Sequence, residues 1–252
     1  MRLGVVIREP ENWSASQFGC LRECGAEGVV FLLGGARGIP ALSVDAVEAA
    51  EQAGLKVIVL HGIALDVGDE DDQERAVEQA CERLKLTSVS GASGVVLTGG
   101  SRSEQSLDVF ISGLRDVLAA AADLGMTVHV ANGVGTRIEQ IEDVRAVVQG
   151  VGHPSLRVWI DAGAFYAAAV NPRDVWAETD DLVTFVVLSD RVGRQTVRLG
   201  EGRVNLTRLI EDVKRVDEGR WLLVDGPVLE MAEKIDWLKA GLCYVRDSIE
   251  AD

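Results

Sequence analysis

RVWIDAG (157–163), FVVLSD (185–190) and WLLVDG (221–226) are three apolar runs that each carry an aspartate at or near their end. Runs this continuously apolar read as strands buried on both faces, and such strands belong to parallel sheets covered by helices. In a parallel sheet the carboxyl ends share one edge. Asp161, Asp190 and Asp225 are therefore expected together at the edge where α/β proteins place their active sites.

Working outward, five further runs share this character: 3–7, 28–33, 56–60, 94–97 and 127–131. With 157–160, 184–188 and 221–224 they make eight strand candidates. Between them, Leu107, Ile111, Leu114, Leu118 and Ala121 recur at helical spacing, as do Leu206, Leu209, Ile210, Val213 and Val216. Ser101 and Ser103 precede the first of these helices and Asn205 the second, while Asp69 to Asp72 read as a solvated helix start. Strands alternating with helices from end to end predict an α/β fold, a (β/α)8 TIM barrel forming one domain over residues 1–252. A doubly wound sheet would carry a glycine fingerprint after its first strand, but Ile7 leads into Arg8, Glu9 and Pro10. The glycines of LLGGARG (32–38) could accept a phosphate, but their spacing matches neither nucleotide-binding motif and favours a flexible βα loop; LTGGS (97–101) reads equally as an anion cradle before a helix or as a tight turn.

Composition narrows the function classes. Forty acidic against 25 basic residues give a net charge of −15, which repels nucleic-acid phosphate and anionic membranes. No apolar run approaches a bilayer span, and MRLGVVIREPENW does not read as a signal peptide, so a cytoplasmic location is expected. Cys20, Cys24, Cys81 and Cys243 form no CxxC or zinc pattern and read as small packing residues.

From about residue 91 to 226 the chain resembles the xylose isomerase-like TIM barrels, a family of sugar and sugar-phosphate isomerases and epimerases. LGMTVHVAN (124–132) is similar to its strand ending in a metal-binding glutamate followed by Asn, and VWIDAGAF (158–165) to its Asp-x-x-His strand. FVVLSDR (185–191) resembles the His-x-Lys-Asp strand, LGEGRVN (199–205) the Leu-Gly-Glu-Gly loop, and WLLVDG the last strand with its terminal glutamate. The resemblance implies a divalent ion (Mn, Mg or Zn) held by two glutamates, an aspartate and a histidine, the glutamates also moving the proton between sugar carbons. On this chain those positions fall on Ala131, Asp161, Val187 and Asp225, and the histidine of the Asp-x-x-His pair falls on Ala164. One ligand is kept, one is shortened and two become apolar, so the resemblance implies a metal that is weakly bound or absent.

Asp161 and Asp225 remain the candidate catalytic and metal-ligating pair. His129, two residues before Ala131, shares its face and is expected one layer deeper in the barrel. Asn132, Asp190 and Arg191 are candidate substrate contacts through the resemblance, Asp190 and Arg191 with a local structural role as the alternative. Arg8, Arg37 and Arg191 follow strands at the expected mouth, Trp13 is placed to form an aromatic wall or plug, and His61 follows the third strand where it would line the mouth. His153 falls at the opposite end. Two functions follow. One is an isomerase- or epimerase-like protein with an eroded metal site; the other is a non-catalytic barrel that binds a polyol or similar metabolite or serves as a partner subunit. A carbohydrate-like ligand and homo-oligomer formation are expected, with neither nucleic acid nor membrane as partner. An endonuclease IV type of activity needs a dense His/Glu metal cluster, and the chain has three histidines.

Overall fold

The computed structural model describes residues 1–33, 44–65, 70–89, 91–103, 106–216, 219–227 and 229–250. Gly34, Gly35, Arg37 and Gly38 of the LLGGARG loop, and Asp69 of the acidic run, lie outside the described residues. Eight parallel strands close into a barrel: β1 (Arg2–Ile7), β2 (Gly28–Leu33), β3 (Lys56–Leu65), β4 (Gly94–Gly99), β5 (Thr127–Ala131), β6 (Leu156–Asp161), β7 (Val183–Leu188) and β10 (Trp221–Val224). Closure is the pairing of β1 with β10, Arg2 opposite Trp221 through Val5 opposite Val224. A short antiparallel hairpin, β8 (Asp190–Val192) and β9 (Gln195–Val197), stands above β7.

Alternation along each strand divides the apolar side chains into two cores. Val6, Val30, Leu60, Val96, Ala131, Trp159, Phe185, Val187, Trp221 and Leu223 point inward and fill the barrel. Trp159 and Phe185 meet inside at 5.4 Å between ring centroids. Their neighbours on the same strands point outward under the helices. The register of β6 on β7 shifts between Val158 and Trp159, which pairs Val158 with Val183 but Trp159 with Phe185. This bulge brings Phe185 to the inner face beside Trp159.

The helices cover the outer face: α1 (Ala15–Glu23), α2 (Val44–Gln52), α3 (Glu70–Ser88), α4 (Leu107–Asp123), α5 (Ile141–Val151), α6 (Ala162–Ala167), α7 (Pro172–Thr179), α8 (Leu206–Val216) and α9 (Met231–Glu250). Of the periodic residues of α4 and α8, Leu107 is half-buried at the start of α4 and Val216, at the last position of α8, is exposed, while Ile111, Leu114, Leu118 and Ala121, and Leu206, Leu209, Ile210 and Val213, are buried. Each such leucine or isoleucine contributes about 1.5–3 kcal/mol by leaving water. α1 starts at Ser14 with a reciprocal capping box to Gln17. The start of α4 is Ser106 rather than Ser101 or Ser103, because Ser101 bridges to Thr136 and holds the preceding loop against the one after β5. Cys20, Cys24, Cys81 and Cys243 are free thiols, Cys24 and Cys81 packed against the outer core.

One strand is longer than its apolar run suggests. β3 continues to Leu65 because β4 pairs with it from Leu60 opposite Gly94 to Leu65 opposite Gly99. His61 therefore lies within the strand and not beyond it. No helix among the described residues is long and apolar enough to cross a membrane.

Candidate functional site at the carboxyl end of the barrel

Asp161 and Asp225 share the inner face of their strands with Trp159 and Leu223, and both emerge at the barrel mouth. Asp161 ends β6 and caps α6: its Oδ1 accepts the Ala164 N–H at 3.0 Å and the Ser189 hydroxyl at 2.6 Å. Ser189 Oγ in turn accepts the Gly163 N–H at 3.1 Å. Asn132 holds the Asp161 backbone from the other side, its Oδ1 accepting the Asp161 N–H at 2.8 Å and its Nδ2 donating to the Asp161 carbonyl at 3.1 Å. Burial pushes the Asp161 carboxyl above its ordinary range, and the negative charge of Asp225 adds to this. The Ser189 and Ala164 hydrogen bonds and the positive charge of Arg191 act in the opposite direction.

Asp225 is engaged differently. Arg8, which follows β1, donates Nη1 to Asp225 Oδ1 at 2.6 Å and Nη2 to Oδ2 at 2.7 Å, a bidentate fork. Asp225 Oδ1 also accepts the N–H of Gly226 at 2.8 Å. Donating these hydrogen bonds to Asp225 holds Arg8 more firmly protonated than usual against the opposing effect of burial, and the charges of Asp225 and Asp161 add to the hold. A cleft of about 80 Å³ opens beside the pair, lined by Val6, Arg8, Glu9, Asp225 and Lys234 among others. A guanidinium thus sits within the field of both surviving carboxylates.

The remaining candidates divide by where the fold puts them. Asp190 is buried and anchors a loop: Oδ1 accepts the N–H groups of Arg191 and Val204, and Oδ2 those of Gly200 and Gly202, all at 2.9–3.1 Å. This explains the LGEGRVN segment, where Gly200 takes φ 88° and Gly202 leaves no room for a Cβ beside Asp190. Arg191 lies against Gly163 and acts on Asp161 through its charge.

Trp13 is not a wall of the mouth. It is buried in the outer core and stacks on Phe18 of α1, with centroids 5.3 Å apart, because its chain segment turns back toward the helix. His61 likewise does not line the mouth: its position alternates with the inward Leu60 and puts it, buried, on the outer side of β3. His129 is inside the barrel as expected, its ring 5.0 Å from that of Phe185 and its Nε2 3.1 Å from Thr127 Oγ1. Thr127 precedes it on the strand, so His129 belongs to the deep end of the barrel, where its ring nitrogen meets Thr127 and not Asp161. Burial and the nearby Arg157 depress its pKa to about 3, leaving a neutral ring. His153 accepts the Ser155 N–H in a turn before β6.

Ala131 and Val187 are buried in the inner apolar cluster with Trp159 and Leu223. Among the described residues no group of three or more His, Cys, Asp or Glu is placed to hold a metal ion. Ser189 escaped the sequence reading because its hydroxyl meets a carboxylate 28 residues away. The period-two alternation from Val187 was the available signal.

The model of the xylose isomerase-like TIM barrel matches residues 19–241. The chain belongs to this family. None of the curated proteins matches significantly. Several solved structures share the fold over nearly the whole chain. The probable 3-DHS dehydratase AsbF of Bacillus anthracis gives a TM-score of 0.76 at 16% identity, covering 98% of this chain and 99% of that one. An L-ribulose 3-epimerase gives 0.75 at 13% identity over 99% and 95% of the two chains. The IOLI protein, solved with a zinc atom, gives 0.70 at 13% identity over 100% and 97%. Identities this low establish the shared barrel fold and nothing finer.

Proposed function

We propose that the mouth of this barrel binds a carbohydrate-like small molecule without a divalent metal, Arg8 serving as the resident cation. The observation that carries this reading is the bidentate fork of Arg8 on Asp225, with Asp161 in the field of the same guanidinium. A family metal site needs three or four side-chain ligands. Here Ala131 and Val187 present methyl groups at two ligand positions, and the Asp225 oxygens are already engaged. The residues present do not fit the ion, so no step is derived through one. Arg8 uses two of its five donors on Asp225 and can direct others to a ligand hydroxyl or carbonyl, while Asp161 offers a carboxyl whose orientation Asn132 and Ser189 hold.

One observation favours chemistry over binding alone. The raised pKa of Asp161 suits a proton-carrying acid, and with Arg8 polarising an adjacent carbonyl the pair could exchange a proton at a neighbouring carbon. The four free cysteines and the excess of negative charge fit a protein of the reducing cytoplasm that handles small molecules.

Calorimetric titration with Mn²⁺ and Mg²⁺, followed by a ketose and polyol panel, tests the reading. The native protein is expected to show no saturable metal binding, and Arg8→Ala to gain affinity for Mn²⁺ by about tenfold or more as two carboxylates lose their cation. Ligand binding is expected to fall in Asp161→Asn and Asp225→Asn. Solvent-deuterium exchange into the bound sugar, lost in Asp161→Asn, selects the proton-transfer version; binding without exchange selects the non-catalytic one. Tight metal binding by the native protein, abolished in Asp225→Asn, overturns the proposal.

A further inference from the structure

The opposite end of the barrel carries charge of the other sign. Arg2 opens β1, Lys56 opens β3 and Arg157 is the second residue of β6, and alternation puts each on the face that Val6, Ile58 and Trp159 turn into the barrel. They surround an open cavity of about 530 Å³ whose walls include Thr127, His129 and Trp221. Gly28 lets the Trp221 ring close over the start of β2, and Gly94 lets Thr127 lie close on β4, so these two side chains form part of the wall. This is the amino-terminal end, separated from Asp225 by the length of β10, roughly 13 Å at about 3.3 Å per residue.

None of the three cations is paired with a carboxylate among the described residues. In a chain of net charge −15 this is unexpected, since acids are available to neutralise them. The Arg2 guanidinium lies over the Trp221 ring, 5.5 Å from its centroid. Arg157 Nη1 donates to the carbonyls of Pro154 and Leu156 at 2.8 and 2.6 Å, which fixes the side chain and leaves other donors free. Glu27, which precedes β2, accepts the Leu3 N–H with its Oε1. His129 in the cavity wall is buried, and its Nδ1 has no hydrogen-bond partner among the described residues. Three cations around one cavity add their fields at its centre and attract an anion jointly.

We propose that this amino-terminal cavity binds a small, multiply charged oxyanion, carried on phosphate or carboxylate groups, through Arg2, Lys56 and Arg157. Arg157 and Arg2 supply planar donor forks suited to such oxygens and Lys56 a mobile point charge. The site is independent of the mouth, and it places a second ligand under the inner core that carries Trp159 and Phe185.

Calorimetric titration of the full chain with pyrophosphate and with citrate, at low ionic strength, tests it. Saturable binding of at least one probe is expected, and the tighter of the two identifies phosphate or carboxylate as the source. K56Q/R157Q is expected to weaken that binding by about tenfold or more with its circular dichroism unchanged. In the native protein the ring resonances of His129, alone among the three histidines, are expected to shift on titration. This readout stands even if the double variant fails to fold. Absence of saturation by both probes, equal binding by the folded double variant, or a shift confined to His61 or His153 overturns the proposal.

Discussion

Arg8 and His129 show at residue scale how neighbours fix the charge of a group. Arg8 is about half exposed, so water screens its attraction to Asp225, but its two donors occupy both carboxylate oxygens and an ion approaching them must displace the fork. His129 is the converse case, a titratable ring with its charge suppressed. Its folded pKa of about 3 lies below the ordinary value of 6.5, so between those values the unfolded chain binds the extra proton and stability must rise with pH. The contribution is complete above about pH 6.5 and declines by up to roughly 1.4 kcal/mol per pH unit on acidification toward the folded value. Chemical denaturation between pH 7 and pH 5 should show this slope, and His129→Phe should flatten it. Asp161 was legible as a strand-end aspartate. The Asn132 clamp and the Ser189 hydroxyl were not, because each acts on Asp161 from another strand.

Buried carboxylates tie together the loops at the mouth, alongside the apolar packing of Ile138, Leu199 and Val204. Asp190 gathers the loop that leads from β9 to α8 by accepting four backbone N–H groups. Replacing it with alanine leaves buried donors without partners, which is expected to cost about 3 kcal/mol or more. Hydrogen exchange should then accelerate at Gly200, Gly202 and Val204 well before the barrel strands, whereas a uniform rise across the barrel would contradict a local anchor. Asp143 on α5 performs the same service for the neighbouring loops. Burial opposes its charge, but the backbone N–H groups of Gln140 and Glu139 and the guanidinium groups of Arg102 and Arg137 hold its pKa below the ordinary value. The Asp-Arg pair after β7 was visible in sequence as a unit. Its role was not, since the partners of Asp190 lie up to 14 residues further on.

For the molecule as a whole, the inner core is a small apolar cluster with little redundancy, and Trp159 and Phe185 occupy its centre. Trp159→Ala is expected to destabilise the barrel by about 3–5 kcal/mol through the cavity it leaves, measured by urea denaturation. A loss below about 1 kcal/mol would show that the interior collapses onto the gap. The sequence by itself determined the eight-stranded barrel, since apolar runs buried on both faces and helices of matching period have few other ways to pack. It also determined that Asp161 and Asp225 share an edge, because strand parity and strand direction are local properties. Tertiary structure alone decided what those carboxylates meet. Arg8 reaches Asp225 across the closing seam of the barrel, 217 residues away in the chain, and Trp13 and His61 turn to the outer layer where the sequence put them at the mouth. Charge pairing, burial and the extent of β3 depend on which strands become neighbours, and that is settled only when the sheet closes on itself.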